Sequence, residues 1–160
     1  KNVFNELKRN ISKVEGHLRG AEGGKDDAEK LVKMAQEGKF GPDNEFLSLA
    51  ETCFDFKDTK YKYAFCVFGD VRQTGEGANN ISLGRFSSLK WEKDKLVIEY
   101  SNGLMCPGGP ARSLKANVEC GSDLGVLAIS EPSRCEYAAD VRPLNLLWHA
   151  SVKIKSYLAP

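Results

Sequence analysis

The 160-residue chain lacks any apolar run approaching the ~20 residues that a membrane-spanning helix needs, so no helical span is expected. It also lacks an excess of charge. Its 23 basic residues face 22 acidic ones, leaving +1, and without a basic patch above that background nucleic acid is a poor partner. Histidine is scarce. His17 falls in a helical arm and His149 in the tail, neither beside a candidate nucleophile, which argues against Ser–His or Cys–His chemistry. No Cys-x-x-Cys pair occurs and no His/Cys spacing suits a metal, so neither a zinc site nor a thioredoxin-like motif is expected, and no cofactor is called for. The strand–helix alternation of an α/β enzyme is missing as well. No Met or signal-like apolar segment opens the chain at Lys1, so it reads as a piece cut from a longer precursor.

What is present suits one domain of about 100–150 residues with an appendage. Five cysteines, Cys53, Cys66, Cys106, Cys120 and Cys135, all lie in the second two-thirds. The separations of 13 residues for Cys53/Cys66 and 15 for Cys120/Cys135 suit disulfides between neighbouring strands, leaving Cys106 over. Each such loop stabilises by roughly 3 kcal/mol on the chain-entropy model. The glycosylation sequons Asn10-Ile11-Ser12 and Asn80-Ile81-Ser82 point the same way, to an oxidising secretory compartment.

Residues 1–38 have a helical pattern. Phe4, Leu7, Ile11, Val14 and Leu18 recur at steps of three and four, a narrow coiled-coil-like seam. The glycine-rich run from Gly20 to Gly24 is expected to break it. A second helix then starts at Asp26, with Glu29 in a capping-box position, Leu31, Val32 and Ala35 facing inward, and Gly38 ending it. Such a hairpin serves either as a partner surface or as a spacer or packing lid.

From Lys39 the composition changes to short alternating runs rich in Cys, Tyr, Phe and Gly. Strands are expected at residues 61–68, 83–91, 96–100, 114–120, 126–130 and 134–141, separated by turn signals such as Asn102-Gly103 and Pro107-Gly108-Gly109-Pro110. Strands at this spacing indicate a mainly β fold, a flattened barrel or sandwich, preceded by the α-helical segment. The domain spans residues 39–143. The tail, residues 144–160, is apolar in part, and a closing strand near Val152 and Ile154 is the reading it supports.

Four polar positions stand out. Glu131-Pro132-Ser133-Arg134-Cys135-Glu136-Tyr137 packs a carboxylate, a rigid turn, a cysteine and a phenol into seven residues. On the strand it feeds, Cys135, Tyr137, Ala139 and Val141 share one face, and Arg134, Glu136 and Asp140 take the other, as surface residues. Gln73 lies in a loop after the strand that ends at Phe68, and Arg112 follows the double-Gly, double-Pro loop. An amide, a guanidinium, a carboxylate and a phenol offer both donors and acceptors, which suits a ligand made of adjacent hydroxyl groups, a sugar. Glycosidases instead need paired carboxylates at set separations, and Glu131 and Glu136 project differently from a turn and a strand.

These residues, with Phe40-Gly41-Pro42-Asp43-Asn44-Glu45-Phe46 ahead of Cys53 and the Tyr61-Lys62-Tyr63-Ala64-Phe65-Cys66 strand, resemble the mannose 6-phosphate receptor homology domain, a P-type lectin family of the secretory pathway. The resemblance covers residues ~40–141 and is strongest at residues 131–137. It implies that Gln73 and Arg112 contact the 2-hydroxyl of a terminal mannose, and Glu131 and Tyr137 its 3- and 4-hydroxyls. It further implies a non-catalytic role in the endoplasmic reticulum lumen, with high-mannose N-glycans and a catalytic glucosidase alpha subunit as partners. Selection of glycoproteins for degradation, or a scaffold with a decayed sugar site, are the alternatives. The sequence departs from the family at three places. Leu146 and Leu147 stand where a sixth cysteine is usual, Pro107 where a tryptophan follows the loop cysteine, and Phe86 at another usual tryptophan. The resemblance pairs that sixth cysteine with Cys106, which would account for the leftover thiol.

Overall fold

The computed structural model describes residues 2–50, 52–75, 77–93, 95–119 and 125–142. Cys120, His149 and the closing strand expected in the tail lie outside the described residues. Two units divide the chain, Lys1–Gly38 and Lys39–Pro160.

The first unit is a single helix, α1 (Asn2–Gln36). The expected break at Gly20 to Gly24 does not occur, and the hairpin disappears with it. A glycine inside a helix costs roughly 0.5–1 kcal/mol relative to alanine, which weakens the hydrogen-bond ladder without ending it. A Cβ added at Gly20, Gly23 or Gly24 would meet nothing within 4 Å, so no packing partner turns the chain there. Lys25 and Glu29 pair at 3.6 Å one turn apart just beyond the glycines. Ile11, Val14 and Leu18, expected under a second helix, are 54%, 66% and 58% exposed. Val32, expected to face inward, is exposed too. Gly38, at φ +65°, donates its N–H to the Ala35 carbonyl at 3.1 Å and ends the helix in the left-handed conformation. Among the described residues no helix is long and apolar enough to cross a membrane.

The second unit is the expected mainly β fold. Eight strands run β1 (Cys53–Lys57), β2 (Tyr61–Cys66), β3 (Asp70–Gly75), β4 (Ala78–Glu92), β5 (Lys95–Ser101), β6 (Ser113–Val118), β7 (Gly125–Ser133) and β8 (Glu136–Arg142). Their order is β1-β2-β3-β4-β5-β6-β8-β7, and β7 comes back beside β1 to make a nearly closed barrel. Inward alternation drives it: Tyr63 and Phe65 on β2, and Tyr137, Ala139 and Val141 on β8, are buried between exposed or half-buried neighbours. Strands β1 and β3 are additions to the expected set. All neighbouring pairs are antiparallel except β6 and β8, which are parallel with Ser113 beside Glu136 and Val118 beside Val141.

Phe40, from the segment before β1, is fully buried and meets Phe68 edge-on at 4.7 Å, while Phe68 meets Phe86 at 4.9 Å. Tyr100 is buried as well, and its hydroxyl donates towards the carbonyls of Val67 at 2.6 Å and Cys66 at 3.1 Å, so the phenol is not left unsatisfied.

Cys53 and Cys66 sit directly opposite one another on β1 and β2 and are disulfide-bonded, with Cα atoms 4.0 Å apart. The second bridge corrects the spacing argument. Cys135 is bonded to Cys106, Cα atoms 6.5 Å apart, and not to Cys120. The parallel pairing of β6 and β8 is the reason. Cys135 precedes β8, at the end where β6 begins, and its carbonyl accepts the Ser113 N–H. The chain leaves β6 at the opposite end, where Glu119 N–H bonds the Val141 carbonyl. Cys106 is therefore neither free nor waiting for a sixth cysteine.

Candidate functional site

Gln73 is not in a loop. It lies on β3, directly across from Tyr63 on β2, and its side chain points inward with 7% exposure, the one buried polar or charged residue among the described residues. Its Nε2 donates to the Tyr63 hydroxyl at 3.2 Å, and that hydroxyl donates to Asp58 Oδ2 at 3.3 Å. Asp58 is in turn held in the β1–β2 turn by the backbone N–H groups of Tyr61 and Lys60, at 2.6 and 2.7 Å. Those two N–H groups, Tyr61 first, hold its carboxyl below the usual range. Burial, the largest cause, and the Asp58 carboxylate push the Tyr63 phenol up to about 12, against the opposing Gln73 hydrogen bond.

Arg112 enters from the hairpin formed by residues 103–112. The Met105–Ala111 bridge and the bonds from Gly103 N–H to the Arg112 carbonyl and from Arg112 N–H to the Leu104 carbonyl close this hairpin. Gly103 is what lets it lie against β4, because a Cβ there would stand 2.7 Å from the Ser82 and Arg112 carbonyl oxygens. The guanidinium spans its own hairpin: Nη1 donates to the carbonyls of Leu104 at 3.0 Å and Met105 at 3.4 Å, and the buried Nε has no protein partner. A guanidinium offers five N–H donors, so donors remain on Nη2 beyond those bound to the hairpin.

Glu131 comes from the end of β7 and Tyr137 from β8; Pro132 and Ser133, expected as a turn, continue β7, and the turn falls at Arg134-Cys135. Glu131 Oε1 accepts the Cys135 N–H at 2.6 Å across that turn, which fixes the carboxylate, with Cys135 in the left-handed region at φ +66°. Tyr137 is 8% exposed and pairs with Leu114 on β6, two residues beyond Arg112. Its phenol is raised, first by burial. Arg112 opposes the rise and Glu131 adds to it, both through hydrogen-bonding and charge. Tyr63 also feels the charge of Tyr137. Tyr137 on β8 thus lies beside the strand that Arg112 leads into and close to Glu131 at the end of β7, while Gln73 reaches the same side of the sheet through Tyr63.

Two residues of this cluster were not singled out from the sequence. Tyr63 reads as core because it alternates with Tyr61 and Phe65, and only its pairing with Gln73 reveals a polar partner. Asp58 carries the turn signal of β1–β2 but no functional one. Arg134 and Glu136, expected on the surface, are both exposed, and Arg134 also donates a side-chain hydrogen bond to the Pro107 carbonyl that ties the β7–β8 turn to the loop of Cys106.

Chemically the cluster suits binding. Two phenols with raised pKa values stay protonated at neutral pH and both donate and accept. Arg112 and Gln73 donate, and the second oxygen of Glu131 accepts. Among the described residues no group of three or more His, Cys, Asp or Glu side chains is placed to hold a metal ion.

The family described as "Glucosidase II beta subunit-like protein" matches residues 8–155. Glucosidase 2 subunit beta of Oryza sativa subsp. indica is 42% identical over 100 residues, covering 62% of this chain and 16% of its own length. The Homo sapiens protein of that name is 35% identical over 105 residues, covering 64% and 20%. The chain therefore spans about a fifth or less of these curated relatives. A solved structure, the MRH domain of glucosidase II beta bound to mannose, is similar at TM-score 0.50 and 27% identity over 60% of this chain and 93% of that one. The MRH domain of Yos9 complexed with alpha3,alpha6-Man5 shares the fold, at TM-score 0.50 and 16% identity over 76% of this chain and 90% of its own.

Proposed function

The chain belongs to the glucosidase II beta subunit-like family, and from that premise we propose that it is a mannose-binding lectin module of a non-catalytic subunit. The module, residues 39–143, holds a terminal mannose of a high-mannose N-glycan, and the subunit presents the glycoprotein that carries it to a catalytic alpha-glucosidase in the endoplasmic reticulum lumen. Gln73 and Arg112 direct donors at the 2-hydroxyl. Glu131 and Tyr137 take the 3- and 4-hydroxyls, and Tyr63 holds the Gln73 amide.

What supports this reading is that Gln73 is buried and bonded to Tyr63, that Tyr137 is buried on β8 across from Leu114, two residues beyond Arg112, and that the Glu131 carboxylate is held by the Cys135 N–H. The solved relative that covers 93% of its own length here is, by its description, a mannose complex. A site of neutral and oppositely charged hydrogen-bonding groups on rigid strands satisfies each buried hydroxyl as donor and acceptor, which water-exposed residues need not do. No pair of free carboxylates flanks it, since the Asp58 oxygens are engaged by Tyr61, Lys60 and Tyr63.

Calorimetric titration of the protein with a high-mannose oligosaccharide tests the binding step, with saturable 1:1 binding as the expected result. The presentation step is tested by placing Arg112→Ala in the whole subunit. Trimming of a glycoprotein by the paired alpha subunit should slow, while hydrolysis of a small chromogenic glucoside is unchanged. Absence of saturable binding in the parent chain would remove the lectin reading, and equal trimming by the variant would remove the presentation.

A further inference from the structure

We propose that Asn80 is an N-glycosylation site and that its glycan stands on the outer face of the sheet, opposite the face that Gln73 takes. The sequon Asn80-Ile81-Ser82 lies at the start of β4. Ile81 pairs with the inward-facing Gln73 and Ser82 with Arg72, while Asn80 itself, at φ +54°, lies where the β3–β4 register shifts, so its side-chain bond rather than strand alternation places it. Asn80 is exposed, and its Oδ1 accepts a hydrogen bond from Arg72 Nη1 at 3.3 Å, which puts the carboxamide with Arg72 on the outer face.

The surroundings leave room. Two open grooves flank the position, one of about 480 Å³ lined by Arg72, Ser82, Arg85 and Phe86, the other lined by Lys57, Lys62 and Thr74, and Asn80 borders both. A first sugar residue attached there has hydroxyls, guanidinium groups and an aromatic ring within the nearer groove. The existing hydrogen bond also survives the modification, because attachment uses Nδ2 while Arg72 bonds Oδ1.

In the step itself, Asn80 Nδ2 forms a bond to the anomeric carbon of a lipid-diphosphate-linked oligosaccharide. The bond from that carbon to the diphosphate oxygen breaks, the lipid diphosphate leaves with the electron pair, and one amide proton passes to a base. The Ser82 hydroxyl supplies the third position of the acceptor motif. The inference rests on the endoplasmic reticulum part of the proposed function and not on mannose binding, so the two fail separately.

The test is expression of the full chain behind a secretion signal in a eukaryotic cell, followed by peptide N-glycosidase digestion in heavy-oxygen water. The peptide carrying Asn80 should return as labelled Asp. Asn80→Gln and Ser82→Ala should lose the label and Ser82→Thr should keep it. Mannoside affinity of the secreted Asn80→Gln protein should stay within about two-fold of the parent. Recovery of unmodified Asn80 from the secreted parent, or a label that survives Ser82→Ala, would overturn the assignment, including the case where only Asn10 is modified. A larger change in affinity for Asn80→Gln would overturn the placement on the opposite face.

Discussion

Gln73 and Tyr63 face each other across adjacent antiparallel strands, whereas Arg112, Glu131 and Tyr137 arrive from a hairpin, the last residues of β7 and the start of β8. The first half of the cluster is therefore set by hairpin register, which the whole sheet enforces. The second half is set by ties between loops: the Cys106–Cys135 disulfide, the Arg134 bond to Pro107, and the Arg112 bonds to Leu104 and Met105. The two halves are vulnerable in different ways. Deleting a group from the first half leaves the framework standing, while cutting a tie in the second displaces several binding groups at once.

The largest effect is expected where a charged group reaches ligand directly. Arg112→Ala and Glu131→Ala should each weaken mannoside binding by about ten- to a hundred-fold, as loss of a charged hydrogen-bond partner costs roughly 1.5–3 kcal/mol. Circular dichroism and the melting transition should stay close to the parent. Collapse of the fold in both variants would show that they serve as supports.

The two disulfides sharpen the contrast. Removing Cys106–Cys135 by paired Cys→Ser substitution should cost both stability, about 2–5 kcal/mol, and affinity. Removing Cys53–Cys66 should cost stability of similar size with affinity largely kept. Denaturant titration and calorimetry on the two variants read this out. Equal affinity losses would erase the distinction between the halves.

Tyr63→Phe comes next. It leaves the ring in place but takes the hydroxyl from Gln73 and Asp58, and about 1–3 kcal/mol for an unpaired buried partner translates into an affinity loss of several-fold or more. It also carries a pH signature. The folded-state pKa of Tyr63 is raised from 10.0 to about 12, so the stability this group contributes is fully present below pH 10 and is lost as pH rises through 12. Parent and Tyr63→Phe unfolding curves should differ in slope across that window and run parallel below it. The smallest effect is expected from Glu136→Ala, at an exposed position beside Tyr137 but on the other face, with affinity within about two-fold of the parent.

Much of the second half was legible in the chain because Glu131, Cys135 and Tyr137 lie within seven residues, and β8 shows its alternation openly. The strand under Gln73 was not. In Asp70-Val71-Arg72-Gln73-Thr74-Gly75 only Val71 is apolar, and the other fully inward residue is the polar Gln73, so a polar residue at an inward position masks the period of two. Strand β1 hides less, with Phe54 and Phe56 alternating, but it is only five residues long. The cysteine partners depended on a parallel pairing of β6 with β8 that spacing along the chain does not encode, since 13 and 15 residues look alike until the strands have an order. In α1 the glycines carry a local cost, and the ladder on both sides outweighs it.

The central claim is recognition of mannose through its axial 2-hydroxyl, and competition titration with epimeric methyl glycosides tests it most directly. A site whose buried donors are built for one hydroxyl is left with unpaired groups by a sugar that cannot place it. Methyl α-mannoside should displace a bound high-mannose oligosaccharide, methyl α-glucoside and methyl α-galactoside should not, and mannose 6-phosphate should do no better than mannose. Glucoside competing as well as mannoside would contradict the account.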